Sequence, residues 1–182
     1  MDYKKYYHNY TDTIFKLLEN VDTNLIQASV NLIIKVQKNR SKIYIVGNGG
    51  SSSIASHVSV DFAKVARVNC STFNNANLIT CFANDYGYEN WVVEAIKTYS
   101  SKRDLFILIS SSGTSKNIVN AAQYCKKNNI DLITLSGFKK NNPLSQSGDV
   151  NFHVESEDYN FVEMAHHIIL LSLVDIFTKK IF

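Results

Sequence analysis

The chain has 182 residues, of which 45% are apolar and 19% charged, and its net charge is +3. That is enough chain and apolar content for one buried core, which excludes a disordered segment, and the charge is too small and too mixed for a nucleic-acid-binding surface. Three cysteines, Cys70, Cys81 and Cys125, stand at no zinc or redox spacing, so a disulfide scaffold is excluded and a reducing, cytoplasmic compartment is expected. The start, MDYKKYYHNYTDTIF, is broken by charged and polar groups and does not read as a signal peptide. No stretch approaches about 18 uncharged apolar residues, so no membrane-spanning helix is expected. With a single proline, Pro143, and no Pro/Ser/Gly-rich linker, residues 1–182 read as one domain.

Two helices are expected first. Tyr6, Tyr10, Ile14, Leu17 and Leu18 recur at helical spacing, and Leu25, Ala28, Leu32, Ile33 and Val36 repeat the pattern. Asp22 or Thr23 can cap the second helix, and Asn39-Arg40-Ser41 ends it. The β-branched run Lys42-Ile43-Tyr44-Ile45-Val46 then reads as a buried strand. Gly47-Asn48-Gly49-Gly50-Ser51 makes a turn, followed by a helix over 52–66. The same order returns as a strand over 105–109, a polar loop over 110–115, a helix over 117–127 and a strand over 132–135. An alternating strand over 150–154 precedes a long apolar helix over 158–182, with Met164 and the 168–173 stretch as its buried face and Ile181-Phe182 as its tail. Strands alternating with helices predict a parallel sheet covered on both faces. Ligands in such sheets sit beyond the carboxyl ends of the strands, where both polar loops fall.

These two loops read as an anion site. Gly47, Gly49 and Gly50 let the backbone approach a ligand closely, and each loop leads into a helix start whose N–H groups favour a phosphate. Ser110, Ser111, Ser112 and Ser115 add small hydroxyl donors. There is no lysine at the Walker A position, and Gly47-Asn48-Gly49-Gly50 lacks the full dinucleotide-binding pattern.

At these motifs the chain resembles the SIS (sugar isomerase) domain family, and within it the phosphoheptose isomerases. GNGGS after a strand, HVSVD on the next helix, FANDYG in mid-chain, ISSSGTS after a later strand and VEMAHH in the last helix stand in the family's order. The resemblance implies a three-layer, flavodoxin-like α/β fold, with a central parallel sheet, helices on both faces and two N-terminal helices. It also implies a homotetramer with sites at subunit interfaces. By the same resemblance, Ser110, Ser111, Ser112 and Ser115 hold a phosphate. Asn48 and Ser51 reach the sugar beside Gly49 and Gly50, and Asp85 lies near the substrate. The implied reaction converts sedoheptulose 7-phosphate to a manno-heptose 7-phosphate for lipopolysaccharide or capsule, with zinc as a cofactor in many members.

His57 and Asp61, four residues apart on one predicted helix face, can bind zinc or orient a proton donor and acceptor. By resemblance His57 is a metal ligand, and Asp61 stands where the family has a glutamate that is both ligand and base, so its carboxylate is one methylene shorter. Glu163 stands at a metal-binding glutamine, Asn160 at a position often aspartate, and Leu171 at a catalytic, metal-binding histidine. The expected catalytic pair is Asp61 and Glu163. The expected metal set is His57, Asp61 and Glu163, with His167, four residues after Glu163, as a further candidate. His166 and His167 also read as interface or supporting residues. Trp91, Tyr86 and Tyr88 read as core or subunit packing, with the sugar pocket as the other possibility. Two functional readings follow: an aldose–ketose isomerase of a phosphorylated sugar, or a non-catalytic SIS module that binds a protein partner or senses a sugar phosphate. Leu171 points to the second, because leucine neither ligates metal nor moves a proton. The expected partners are a phosphorylated sugar and further copies of the chain, with neither nucleic acid nor membrane.

Overall fold

The structure, a computed structural model, describes residues 2–181. Two helices open it. In α1 (Tyr3–Glu19), Asp2 caps the start by accepting from the Lys5 N–H, and in α2 (Thr23–Asn39), Asp22 accepts from the Asn24 N–H at 2.8 Å. Arg40, in the left-handed region at φ 51°, ends α2 and turns the chain into the sheet.

The strands are β1 (Ile43–Gly47), β2 (Cys70–Thr72), β3 (Leu105–Ser110), β4 (Asp131–Ser136) and β5 (Val150–His153). All pair in parallel, in the order β2-β1-β3-β4-β5. The remaining helices are α3 (Gly49–Lys64), α4 (Ala76–Tyr86), α5 (Trp91–Tyr99), α6 (Lys116–Lys127) and α7 (Tyr159–Lys179). Successive strand residues face opposite sides, and both sides are apolar. Ile43, Ile45, Leu105, Ile107 and Ile109 join a core with residues of α2, α3 and α7, whereas Tyr44, Val46, Phe106 and Leu108 join a second core with α5 and α6. A sheet covered on both faces needs such continuous apolar strands. The three-layer α/β expectation therefore holds. The chain leaves β1 toward β2 and returns on β1's other side as β3, so the strand order reverses between β1 and β3 and opens a crevice at their carboxyl ends.

Several expectations are corrected. The glycine-rich segment is mostly helix: α3 begins at Gly49, three residues before the expected start, so Ser51 sits in its first turn. α3 ends at Lys64 instead of residue 66. β2, α4 and α5 had no counterpart in the sequence reading. β2 is a three-residue, half-buried edge strand and α4 buries no residue fully, so neither leaves a strong apolar pattern. Met164 and Ile168, expected inside, are 41% and 44% exposed, because the buried face of α7 runs through Val162, Ala165, Ile169, Leu170 and Leu173. α7 stops at Lys179, Lys180 turns left-handed at φ 53°, and Ile181 is exposed. The expected helical tail at Phe182 lies outside the described residues. By length and composition alone α7 is apolar enough to cross a membrane. Its buried face, however, lies in the core against the sheet and α3.

Candidate functional site

β1 and β3 pair with Gly47 beside Ile109, which brings the segments that follow them together at one edge. A cavity of about 230 Å³ opens there, between Asn48, Gly49, Gly50 and Ser51 on one side and Ser110, Ser111, Ser112 and Ser115 on the other. Tyr159 and Glu163, from the first turns of α7, close it. The two expected phosphate loops thus form one pocket. Larger concavities of about 600 and 730 Å³ lie near the sheet edge around Lys42, Tyr44 and Tyr99. Neither is lined by the start of α3 or α6, so neither has the donor arrangement of the smaller one.

Helix starts supply that arrangement. α1, α2, α4 and α7 begin under a side-chain cap, from Asp2, Asp22, Asn75 and Asp158. α3 and α6, which open onto the pocket, have none, and α5 is the other uncapped helix. Uncapped first-turn N–H groups and the helix dipole are an anion site. Gly49 adopts φ +52°, a left-handed conformation that favours glycine. A Cβ on Gly50 would overlap the Glu163 carboxylate, so glycine lets that carboxylate come down onto the loop.

The serines divide their tasks. The Ser110 hydroxyl donates to the Ser115 hydroxyl at 3.0 Å and pins the ends of the loop. The Ser112 hydroxyl accepts from Thr114 Oγ1 at 3.0 Å. Ser111 lines the pocket, and its hydroxyl is buried without a hydrogen-bond partner in the protein. Asn48, expected to reach the sugar, is used differently. Its amide pairs reciprocally with the Asn117 amide, both bonds 2.9 Å, and its Oδ1 also accepts from the Tyr88 hydroxyl at 3.2 Å. Asn48 lines the pocket but braces α3's start against α6. Asp85 is exposed on α4 and accepts from the Asn84 amide; it is not in the pocket wall of this chain. Trp91 is buried in the second core and Tyr86 is half exposed, so neither lines the pocket.

Glu163 is the pocket's carboxylate, and burial raises its pKa above the usual 4.5. One turn further along α7, His167 Nε2 lies 2.9 Å from His57 Nδ1, with the two rings edge to face at 86°. His57 Nε2 in turn lies 3.3 Å from Asp61 Oδ2. Burial, then the neighbouring His57, lowers the pKa of His167, against the opposing pull of Asp61. His166 points the other way, fully buried, with Nε2 3.1 Å from the Ser136 carbonyl. Leu171 packs half-buried against the core.

In this arrangement the expected metal ligands His57, Asp61 and Glu163 are not grouped together. Among the described residues, no three His, Cys, Asp or Glu side chains are grouped to hold a metal ion. His57 turns its two nitrogens in different directions, one to His167 and one to Asp61, so these donors do not converge on one point, as a tetrahedral zinc site requires. Glu163 lies instead over Gly50. His167, expected as a possible fourth ligand, is a hydrogen-bond partner of His57.

Comparison with known proteins bears on the family and the fold. The SIS domain family model matches residues 5–137. Phosphoheptose isomerase 2 of Campylobacter jejuni is 38% identical over 127 residues, which is 65% of this chain and 62% of that protein, somewhat under two thirds of its length. A phosphoheptose isomerase of Helicobacter pylori is 33% identical over 180 residues, covering 94% of this chain and 92% of that protein. The structure of the phosphoheptose isomerase from Neisseria gonorrhoeae superposes with a TM-score of 0.86 at 17% identity, over 98% of this chain and all of that one, which shows a shared fold.

Proposed function

The chain belongs to the SIS domain family, and we propose that it is an aldose–ketose isomerase acting on sedoheptulose 7-phosphate or a closely related sugar phosphate, in heptose synthesis for lipopolysaccharide or capsule. The observation that carries this reading is Glu163: a desolvated carboxylate held over Gly50, inside a pocket whose other walls are two uncapped helix starts and a serine loop. The N–H groups of α3 and α6, with the hydroxyls of Ser111, Ser112 and Ser115, would bind the phosphate and so fix the sugar's reacting end relative to Glu163. As general base, Glu163 takes the proton from C1 of the ketose and returns it to C2, while the two oxygens exchange the other proton through an enediol. Ser51, nearly buried in the first turn of α3, supports a sugar hydroxyl. Asp61 lies outside the pocket wall and acts through His57. Asp85, exposed on α4, would meet substrate only where a second copy of the chain covers it. A homotetramer in the cytoplasm suits the family resemblance and the apolar residues on the outside of α1 and α7.

A second reading is favoured by Leu171, which puts an inert side chain where the resemblance expects a catalytic histidine: the same pocket senses a sugar phosphate without turnover. One experiment separates the two. Purified protein is incubated with sedoheptulose 7-phosphate and followed by NMR. The isomerase yields aldose signals. Binding seen as substrate line broadening without product supports the sensor, and neither effect removes both readings.

A further inference from the structure

The concavities of about 600 and 730 Å³ share Lys42, Tyr44 and Tyr99, so they adjoin as one double groove. Lys42 precedes β1 and Gly47 ends it, which puts roughly 16 Å of strand between the groove's basic end and the sugar-phosphate pocket. The groove and that pocket have no lining residue in common, so a ligand here does not depend on the isomerase reading. We propose that the double groove is a second binding site, for a nucleotide carrying two or more phosphates: the base lies at its aromatic end and the phosphates at its basic end.

Aromatic rings wall one end. Phe73 lies 4.8 Å from Tyr44 and 6.1 Å from Tyr99, and Phe82 lies 6.3 Å from Tyr99, ring centre to ring centre. Such a row is a surface on which a flat base stacks. Tyr99 is 55% exposed although it belongs to the row, so it has area left for an occupant to cover. Thr72, whose hydroxyl is buried without a partner, and the exposed Asn77 line the same end and can meet the polar edge of a base.

The other end is basic. Lys42 holds its ammonium 5.4 Å over the Tyr44 ring, and Arg40, Lys102 and Arg103 line the groove beside it. None of these four cations is in an ion pair among the described residues. The carboxylate in the same wall, Asp104, is buried and occupied by other donors: it accepts from the Lys42 N–H at 2.8 Å, the Ser101 N–H at 2.7 Å and the Ser101 hydroxyl at 3.1 Å. Asp104 thus ties the Lys42 backbone to the turn before β3 and holds the two basic segments side by side. Arg40 ends α2 at φ 51°, where glycine is the residue of least strain, and an arginine there keeps a guanidinium at the groove. Four cations against one engaged carboxylate favour a polyanion. Cations alone accept any anion, and rings alone any flat apolar group. The two in adjoining grooves, each of a volume usual for small-ligand sites, fit a ligand with a flat ring at one end and several negative charges at the other.

The test is direct binding to the full chain. ATP, GTP, CTP and UTP are titrated one at a time by calorimetry, beside adenosine and inorganic tripolyphosphate, and saturation-transfer NMR reads the base protons. At least one triphosphate should bind saturably at one per chain, with transfer to its base, and more tightly than tripolyphosphate does. Tyr99→Ala should weaken it by about 5- to 100-fold, the worth of stacking on one ring, and Tyr99→Phe should bind as the wild type does. Lys102→Ala with Arg103→Ala, both exposed, should weaken it by roughly tenfold or more and flatten its salt dependence. Saturating sedoheptulose 7-phosphate should not displace it. Four results overturn the proposal: no binding of any of these triphosphates, equal binding of tripolyphosphate, displacement by the sugar phosphate, or wild-type affinity in the folded variants at Tyr99 and at Lys102 with Arg103. Tighter binding of a single-stranded RNA decamer than of any triphosphate overturns it as well, in favour of a nucleic acid. A chain that binds no sugar phosphate would instead remove the isomerase reading, and the variants at Tyr99, Lys102 and Arg103 would still locate the nucleotide.

Discussion

A side chain in this pocket is defined by what it lacks as much as by what it touches. Ser111 has a buried hydroxyl with no partner, so Ser111→Ala removes an unmet polar group and leaves the fold little changed. Its cost falls on the ligand: about one hydrogen bond, or roughly a tenfold weaker Kd for the sugar phosphate, measured by calorimetry beside an unchanged Tm. Gly50→Ala acts by the opposite route. The added methyl overlaps the Glu163 carboxylate and turns it away, and a displacement of about 1 Å costs about 10²-fold in rate. Phosphate affinity should survive, so a loss of kcat with preserved binding is the expected outcome. Glu163 also sets a pH limb. Its folded pKa lies above 4.5 because burial disfavours the charged form, and the base must be ionised. As pH falls, kcat/KM therefore begins to drop at a higher pH than an ordinary carboxylate would give. Glu163→Gln removes turnover at every pH, and a Glu163→Gln protein that retained activity would end the assignment.

At the scale of elements, α7 carries two jobs on two faces. Glu163 lines the pocket and His167 meets His57 of α3, while His166 is buried beneath, next to the end of β4. Burial lowers the pKa of His166 from 6.5 to about 4, outweighing its bond to the Ser136 carbonyl, and His153 on β5 is lowered in the same direction. The unfolded chain therefore binds more protons between those values than the folded one does. Stability is complete above about 6.5 and is lost as pH falls toward 4, by about 3 kcal/mol at most for His166. His166→Leu should flatten most of that slope in urea titrations at pH 7.5 and pH 5. The Ser136 carbonyl keeps its bond from the Val154 N–H at 2.9 Å, so the variant should lose little at neutral pH. The elements differ in how far their sequence betrays them. β1 and β3 are buried on both sides and read directly as apolar runs. β2 and α4 could not be read, since an edge strand of three residues and a helix without a fully buried residue leave no period to detect. The pocket between the two loops was legible from glycines and serines, whose chemistry is local. The Asn48–Asn117 brace and the His57–His167 contact join residues 69 and 110 positions apart, and no spacing rule predicts such pairs.

At the scale of the whole molecule, a single chain leaves apolar surface uncovered. α1 buries no residue fully, and Tyr10, its ring tilted 42° against that of Phe161 at a centroid distance of 4.7 Å, ties it to α7. Tyr3, Tyr6 and Tyr7 are 75%, 63% and 68% exposed on α1, and on α7 Met164 and Ile168 stand exposed one turn apart. A two-turn cluster of three tyrosines is a large apolar area for a monomer to leave in water, and aromatic residues are what interface cores are rich in. Further copies of the same chain are the occupants that the homotetramer proposed above would bring to these faces. Light scattering after gel filtration should therefore give a mass near four chains of 20.6 kDa each. Tyr3→Glu with Tyr7→Glu places charge in a desolvated contact and should shift the mass downward, while circular dichroism stays unchanged because neither ring belongs to the core. If Asp85 acts from a neighbouring copy, turnover falls together with the mass, and Asp85→Asn lowers turnover without changing it. A wild-type chain that runs as a fully active monomer would show that the pocket of one subunit is complete, and would remove both the tetramer and any role for Asp85 in it.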